Sequence, residues 1–244
     1  MSNEKEGILM QQEEKHGFVP KLRFPEFYDA GEWDADELGI VAEFVNEKIP
    51  VGRVSLDGYV STESILPDFE GIAIASRLPA TGSVTRFMAS DTLVSNIRPY
   101  LKKVWYADKD GGASNDVIVI RAKRKLLSQY LSFLLKSDAF IDYVMTGAKG
   151  VKMPRGDIDS IKQYAALYPP TGEQQKIVDC LTSLDDLIRL EAEKLDAIKA
   201  HKNGLMQRLF PREGETQPRL RFPEFQNAGE WEVKTMGSIA SFSS

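Results

Sequence analysis

Very little in this chain can carry covalent chemistry. It holds one cysteine, Cys180, and two histidines, His16 and His201, in 244 residues. A single cysteine excludes an internal disulfide and suits a reducing compartment such as the cytoplasm. The histidines stand far apart with no cysteine cluster near either, so no metal site is expected. No stretch of 18 apolar residues occurs, which argues against a membrane span, and the charged opening MSNEKEGILMQQEEKHG lacks a signal-peptide core. No glycine-rich nucleotide loop follows a strand-like segment, and no P-loop is present. The sequence asks for no cofactor.

What it does have is an uneven charge and a repeat. The formal net charge of −5 is unpromising for a nucleic-acid binder. Its distribution points the other way. Residues 71–165 carry 15 Lys and Arg against 8 Asp and Glu, whereas the remainder carries 16 against 28. A basic middle in an acidic frame is the footprint of a phosphate-facing surface on a larger acidic body. The repeat matches PKLRFPEFYDAGEW (20–33) to PRLRFPEFQNAGEW (218–231), identical at 11 of 14 positions and 198 residues apart. Solenoid repeats run roughly 20–50 residues, so this spacing restarts a whole module. The chain reads as one unit plus the opening of another. Leu22, Phe24, Phe27 and Trp33 read as a hydrophobic clasp pinning the start of the domain, with Pro25 fixing the bend.

Four stretches are expected: a polar leader (1–19), an α+β domain (20–168), a long helix (169–211) and the start of a second repeat (212–244). In the α+β part, residues 71–75, 92–97, 103–107 and 116–121 read as strands, punctuated by Leu66-Pro67-Asp68, Leu78-Pro79, Thr81-Gly82 and Gly111-Gly112. Residues 125–145 carry helical apolar spacing, as two short helices. Residues 147–157, GAKGVKMPRGD, have almost no apolar anchor and read as an exposed loop.

After Pro169-Pro170 the texture changes. Thr171 with Gln174 three residues on forms a capping box, and Glu173 sits near the positive helix end. Apolar residues then fall at Ile177, Leu181, Leu184, Ile188, Leu195, Ile198, Leu205 and Leu209, a 4-3 heptad seam broken only by Glu191 and Lys202. Residues 172–210 would make a rod of about 58 Å, with a possible kink at Asn203-Gly204 and a stop at Pro211. The alternative is an ordinary helix packed on its own domain. The length, against a mean helix of about 11–12 residues, favours a dimer interface: the seam needs a partner helix.

These features together resemble the specificity subunit of type I DNA restriction-modification systems, in a half-length form with a single target recognition domain. The resemblance rests on PPTGEQQKIVDCLTSLDDLI at the helix opening and on SNIRPYLKKVW (95–105), SNDVIVIR (114–121) and GAKGVKMPRGD (147–157). Members usually carry two recognition domains, each followed by a long helix; the helices pair antiparallel and space two half-sites. The resemblance implies double-stranded DNA, modification (methyltransferase) subunits and, through them, a restriction subunit as partners. It implies a non-catalytic role, directing adenine methylation and DNA cleavage by those partners. This chain departs by holding one domain, one helix and a restarted repeat, which leaves a homodimer, a remnant or a fragment open.

For DNA contact, Asn96, Arg98, Tyr100, Lys102 and Lys103 combine an amide, an arginine, an aromatic and two lysines on a strand-turn-strand. Arginine pairs bidentately with guanine, asparagine with adenine, and lysines with phosphate. Lys149, Lys152 and Arg155 lie in the Gly-rich loop, where basic groups and exposed amides approach phosphates. The bland alternative makes Ile97, Tyr100 and Leu101 core and the charges a solvated surface. Arg77 and Arg86 are weaker candidates, and Lys123, Arg124 and Lys125 suit the surface at the start of a helix. An N6-adenine methyltransferase needs a [DN]-P-P-[YFW] cluster for the flipped base. The only Pro-Pro here, Tyr168-Pro169-Pro170-Thr171, lacks both flanking requirements. A stand-alone dimeric DNA-binding regulator remains the rival reading, disfavoured by overall acidity, and a purely structural coiled coil is disfavoured by the basic middle.

Overall fold

The computed structural model describes residues 18–150 and 153–240. The chain divides at Cys180 and Leu181 into two compact units. Along the first run β1 (Asp34–Glu37), α1 (Leu38–Val41), β2 (Ala42–Phe44), β3 (Lys48–Pro50), β4 (Tyr59–Val60), β5 (Ser83–Phe87) and β6 (Thr92–Ser95). There follow β7 (Val104–Tyr106), β8 (Gly111–Ala113), β9 (Val117–Ala122), α2 (Ser128–Leu135), α3 (Asp138–Thr146), α4 (Ile158–Lys162) and β10 (Ala165–Tyr168). The long helix α5 (Thr171–Leu209) starts in the first unit and continues into the second, which also holds α6 (Met236–Ile239). The class is α+β. Of the leader, only Phe18 and Val19 fall among the described residues.

The central sheet has the order β2-β9-β6-β7, all antiparallel. Its middle strand reads Val117-Ile118-Val119-Ile120 without polar alternation because both faces are covered. Ile118, Ile120 and Val94 join Leu131, Leu135 and Phe140 of the helices in one core cluster. Val117, Val119, Leu93 and Trp105 join Val60 and Phe87 of a second sheet in another. That second sheet runs β3-β5-β8-β4, with β4 parallel to β8. Gly111 and Gly112, expected as a turn, lie within β8. A Cβ on Gly111 would stand 2.1 Å from the Gly58 carbonyl oxygen, and one on Gly112 would stand 2.5 Å from Val84 Cγ2. Close approach of neighbouring elements, not chain reversal, is the reason for the pair.

Strands within 92–97, 103–107 and 116–121 and two helices within 125–145 form as expected, with trimmed ends. Residues 71–75 do not form a strand. Gly71 turns the chain at a φ of +100°, and among the described residues only a lone Ile65–Ile72 bridge pairs with the segment. Ile74 is 73% exposed.

The helix opening is held differently from a capping box. Gln174 is buried and satisfies the turn before α2: its Oε1 accepts from Leu127 N at 2.9 Å, and its Nε2 donates to Lys125 O and Pro169 O. Glu173 receives Arg23 bidentately, Nε to Oε1 at 2.8 Å and Nη2 to Oε2 at 2.7 Å, with both side chains at most 4% exposed. Trp33 Nε1 donates to the same carboxylate at 3.3 Å, and Lys176 pairs with Glu26 at 3.1 Å. The opening repeat is therefore an ionic clasp on the first turn of α5. Leu22, expected inside it, is 90% exposed.

Candidate nucleic-acid interface

The candidate site is built where β6 runs out. After Ser95 the chain turns through Ile97 and Arg98 into a single 3₁₀ turn, Pro99–Leu101, before β7. Arg98 and Lys102 bracket that turn, each in the left-handed region at φ 52°. Two non-glycine residues there are uncommon and are held by surrounding contacts. Arg98 N donates to Pro154 O at 2.8 Å and its carbonyl accepts from Leu101 N at 2.9 Å. The Arg98 side chain and Tyr100 are exposed.

Pro154 belongs to the glycine- and lysine-rich segment, which is anchored rather than loose. Lys149 and Arg155 exchange backbone hydrogen bonds at 2.9 and 3.0 Å, and Gly156 N donates to Asn96 O at 3.2 Å. Pro154 and Gly156 are buried, so backbone pairing supplies the anchor that apolar content did not advertise. Asp116 ties in a third segment. Its carbonyl accepts from Asn96 N at 2.8 Å, and its Oδ1 pairs with Arg155 Nη2 at 2.7 Å. Residues 95–105, 114–121 and 147–157 thus meet at one surface.

The cations on this surface differ in how far they are already committed. Lys102 Nζ pairs with Asp138 at 2.7 Å, which raises its pKa. Lys149 pairs with Asp157 at 2.6 Å, also raised; Asp157 is lowered first by Lys149 and then by the amides of Ser160 and Asp159 at the start of α4. Lys103 Nζ donates inward to Thr62 O at 2.7 Å. Asn96 is 7% exposed, with Oδ1 partnerless and 2.8 Å from where a Cβ on Gly156 would sit. Asn96 thus lies against Gly156 of the 147–157 segment, and Lys103 Nζ is engaged by the Thr62 carbonyl. Lys152 lies outside the described residues. Arg98 makes no ion pair among the described residues; Lys149 and Arg155 are paired but keep side chains 81 and 57% exposed against 36% for Lys102, so these three present the most accessible positive charge, with Tyr100 alongside.

A cleft of about 640 Å³ adjoins this surface, sharing Asp116 and Ser114 with it and lined further by Thr62, Ile74 and Arg77. Arg86 sits elsewhere, paired with Glu47 at 3.0 Å. Lys123 donates to Gly39 O and Ile40 O, and Lys125 pairs with Asp36 at 2.7 Å, both structural uses before α2. Among the described residues, no cluster of three His, Cys, Asp or Glu is placed to hold a metal, and no helix is long and apolar enough to cross a membrane.

The expected dimer seam on α5 is largely uncovered in the single chain. Leu184, Ile188, Leu195 and Ile198 are exposed, and Leu181, Leu205 and Leu209 are half-buried. Ile177 packs instead on the core of the first unit.

The family model described as "Type I restriction modification DNA specificity domain" matches residues 59–200, more than half of the chain. The chain belongs to this family. The match contains all three converging segments and most of α5. The "Type I restriction enzyme MjaVIII specificity subunit" of Methanocaldococcus jannaschii is 24% identical, over 97% of this chain and 55% of its own length. The chain thus spans about half the length of this curated relative. Two solved structures share the fold. The HsdS subunit from Thermoanaerobacter tengcongensis has a TM-score of 0.52 and 23% identity, over 76% of this chain and 51% of that one. A type I restriction-modification S subunit from M. genitalium has a TM-score of 0.52 and 14% identity, over 73% and 46%. The family model and the curated relative are both described as specificity components.

Proposed function

We propose that this chain reads DNA sequence on behalf of partner subunits that methylate adenine and cleave DNA, and that it contributes no catalytic group itself. One observation carries the reading: three segments distant in sequence converge to display Arg98, Lys149 and Arg155 together in the basic part of the chain. Arg98, projecting from a strained turn, is the base reader, Tyr100 supplies apolar contact beside it, and Lys149 and Arg155 meet phosphate. Lys102 contributes once Asp138 yields it. The protein works in the cytoplasm, where its single thiol stays reduced.

We further propose a two-fold pair through α5, because Leu184, Ile188, Leu195 and Ile198 line an exposed stripe. Antiparallel identical chains would present the same recognition domain twice, so the target is an inverted repeat with an undefined spacer. The test reconstitutes the full chain with modification subunits and methyl donor, then maps methylated adenines. Methylation at an interrupted palindrome is the expected result. Sequence-specific binding unaffected by modification subunits, with no methylation, would favour the regulator. An asymmetric bipartite motif would mean that a different polypeptide supplies the second recognition domain.

A further inference from the structure

The two copies of the 14-residue repeat fold alike but are not equally occupied. In the first, Trp33 N donates to Phe18 O at 2.8 Å, Ala30 N to Phe27 O at 3.0 Å, and Arg23 Nη1 to Gly31 O at 2.6 Å. In the second, Trp231 N donates to Thr216 O at 2.8 Å, Ala228 N to Phe225 O at 3.1 Å, and Arg221 Nη2 to Gly229 O at 2.7 Å. The same backbone is built twice, with Arg221, Glu224 and Trp231 at the places of Arg23, Glu26 and Trp33. The first copy spends those three side chains on Glu173 and Lys176 at the start of α5.

The second copy has no such load. Arg221 faces the carbonyls of Phe225, Ala228 and Gly229, and among the described residues no carboxylate lies within ion-pair reach of it. Phe222, Phe225 and Trp231 are 58, 57 and 44% exposed around a mainly apolar hollow of about 380 Å³. An arginine beside exposed aromatics, in a frame that elsewhere grips a helix opening, is a preformed receptor for one.

We propose that residues 218–231 dock the N-terminus of a second helix opening Gly-Glu-Gln-Gln-Lys, distinct from the chain's own α5. Arg221 and the Trp231 indole N–H take the glutamate, Glu224 takes the lysine, and the exposed rings cover the first turn. The occupied copy dictates that ligand chemistry. A second copy of this chain is the poorer source, because its own Glu173 is 1% exposed in the clasp of Arg23, and that clasp holds the advantage of an intramolecular contact. The occupant is a helix opening of this chemistry that is not already held. This goes beyond the DNA-reading proposal and does not depend on it.

A labelled peptide of residues 169–188 is the probe, titrated into the full chain. Binding is expected, with Arg221→Ala weakening it about thirtyfold or more, as for loss of one member of a buried charge pair. A Glu173→Gln peptide, which leaves the protein intact, should lose as much. A Lys176→Glu peptide should bind poorly to wild type and regain affinity for the Glu224→Lys chain. Absence of binding overturns the proposal. Binding indifferent to Arg221 and Glu173 overturns it too, and reports pairing along the α5 seam. Competition by unlabelled full chain as strong as by peptide would make a second copy the occupant and equally overturn it. DNA binding in the Arg221→Ala chain stays at the wild-type level, so failure here is distinguishable from failure of the recognition site.

Discussion

At the residue scale the candidate interface is a competition for cations. Arg98 makes no ion pair among the described residues and stands in a left-handed turn, so its side chain is available to a base edge. Arg98→Ala should relax discrimination at one base position by about 1–3 kcal/mol, measured by binding to a panel of single-base variants. Unchanged affinity and an unchanged methylated motif would make it an ordinary surface residue. Lys102 is held by Asp138 at 2.7 Å, so Asp138→Asn should raise affinity for all sequences. The slope of log K against log salt should steepen by up to about 0.9, the increment for one phosphate; no change would mean Lys102 faces no phosphate. Asp157 has a depressed pKa through Lys149 and the amides of Ser160 and Asp159. A depressed acid stabilises the fold above its unfolded pKa, about 3.9, and that contribution disappears as pH falls through the lower folded value. The melting temperature of wild type should therefore exceed that of Asp157→Asn by a constant margin down to about pH 4, and the margin should close in more acid solution.

At the element scale, α5 does two separate jobs. Its first turns belong to the first unit, through Glu173, Gln174, Ile177 and Val178. The rest carries an apolar stripe with Leu184 and Ile188 exposed. Replacing both with lysine should leave the secondary structure of the first unit intact by circular dichroism, because neither side chain is packed in the single chain. It should abolish pairing and methylation together. Sedimentation as a monomer in wild type, even with modification subunits, would remove the basis for the two-fold arrangement. Glu191 interrupts the seam and pairs with Lys194 at 3.2 Å, available as a register-setting position.

For the whole molecule, symmetry and length combine into a statement about the target. A rod of about 58 Å spans roughly 17 base pairs at about 3.4 Å each, enough for two short half-sites and a gap. Inserting two helical turns between Ile188 and Ile198 should lengthen the gap and leave the half-site bases unchanged, read by methylome sequencing. Altered half-site bases would show that α5 does more than set distance.

Much of this was legible in one dimension. Helical period, proline and glycine punctuation and the charge of residues 71–165 are local properties, so the α+β class, the 39-residue helix and the basic surface could be read from spacing alone. The strand expected at 71–75 failed because apolar content does not supply a pairing edge, and Gly111-Gly112 misled because a turn and a close approach both require a missing side chain. Contacts between distant residues were illegible. Arg23 meets Glu173 across 150 residues, and Arg155 reaches Asp116 from a segment with no apolar signal. An ion pair or backbone bridge leaves no periodicity in sequence, so only the folded chain decided that Asn96 and Lys103 turn inward while Arg98 and Arg155 face out.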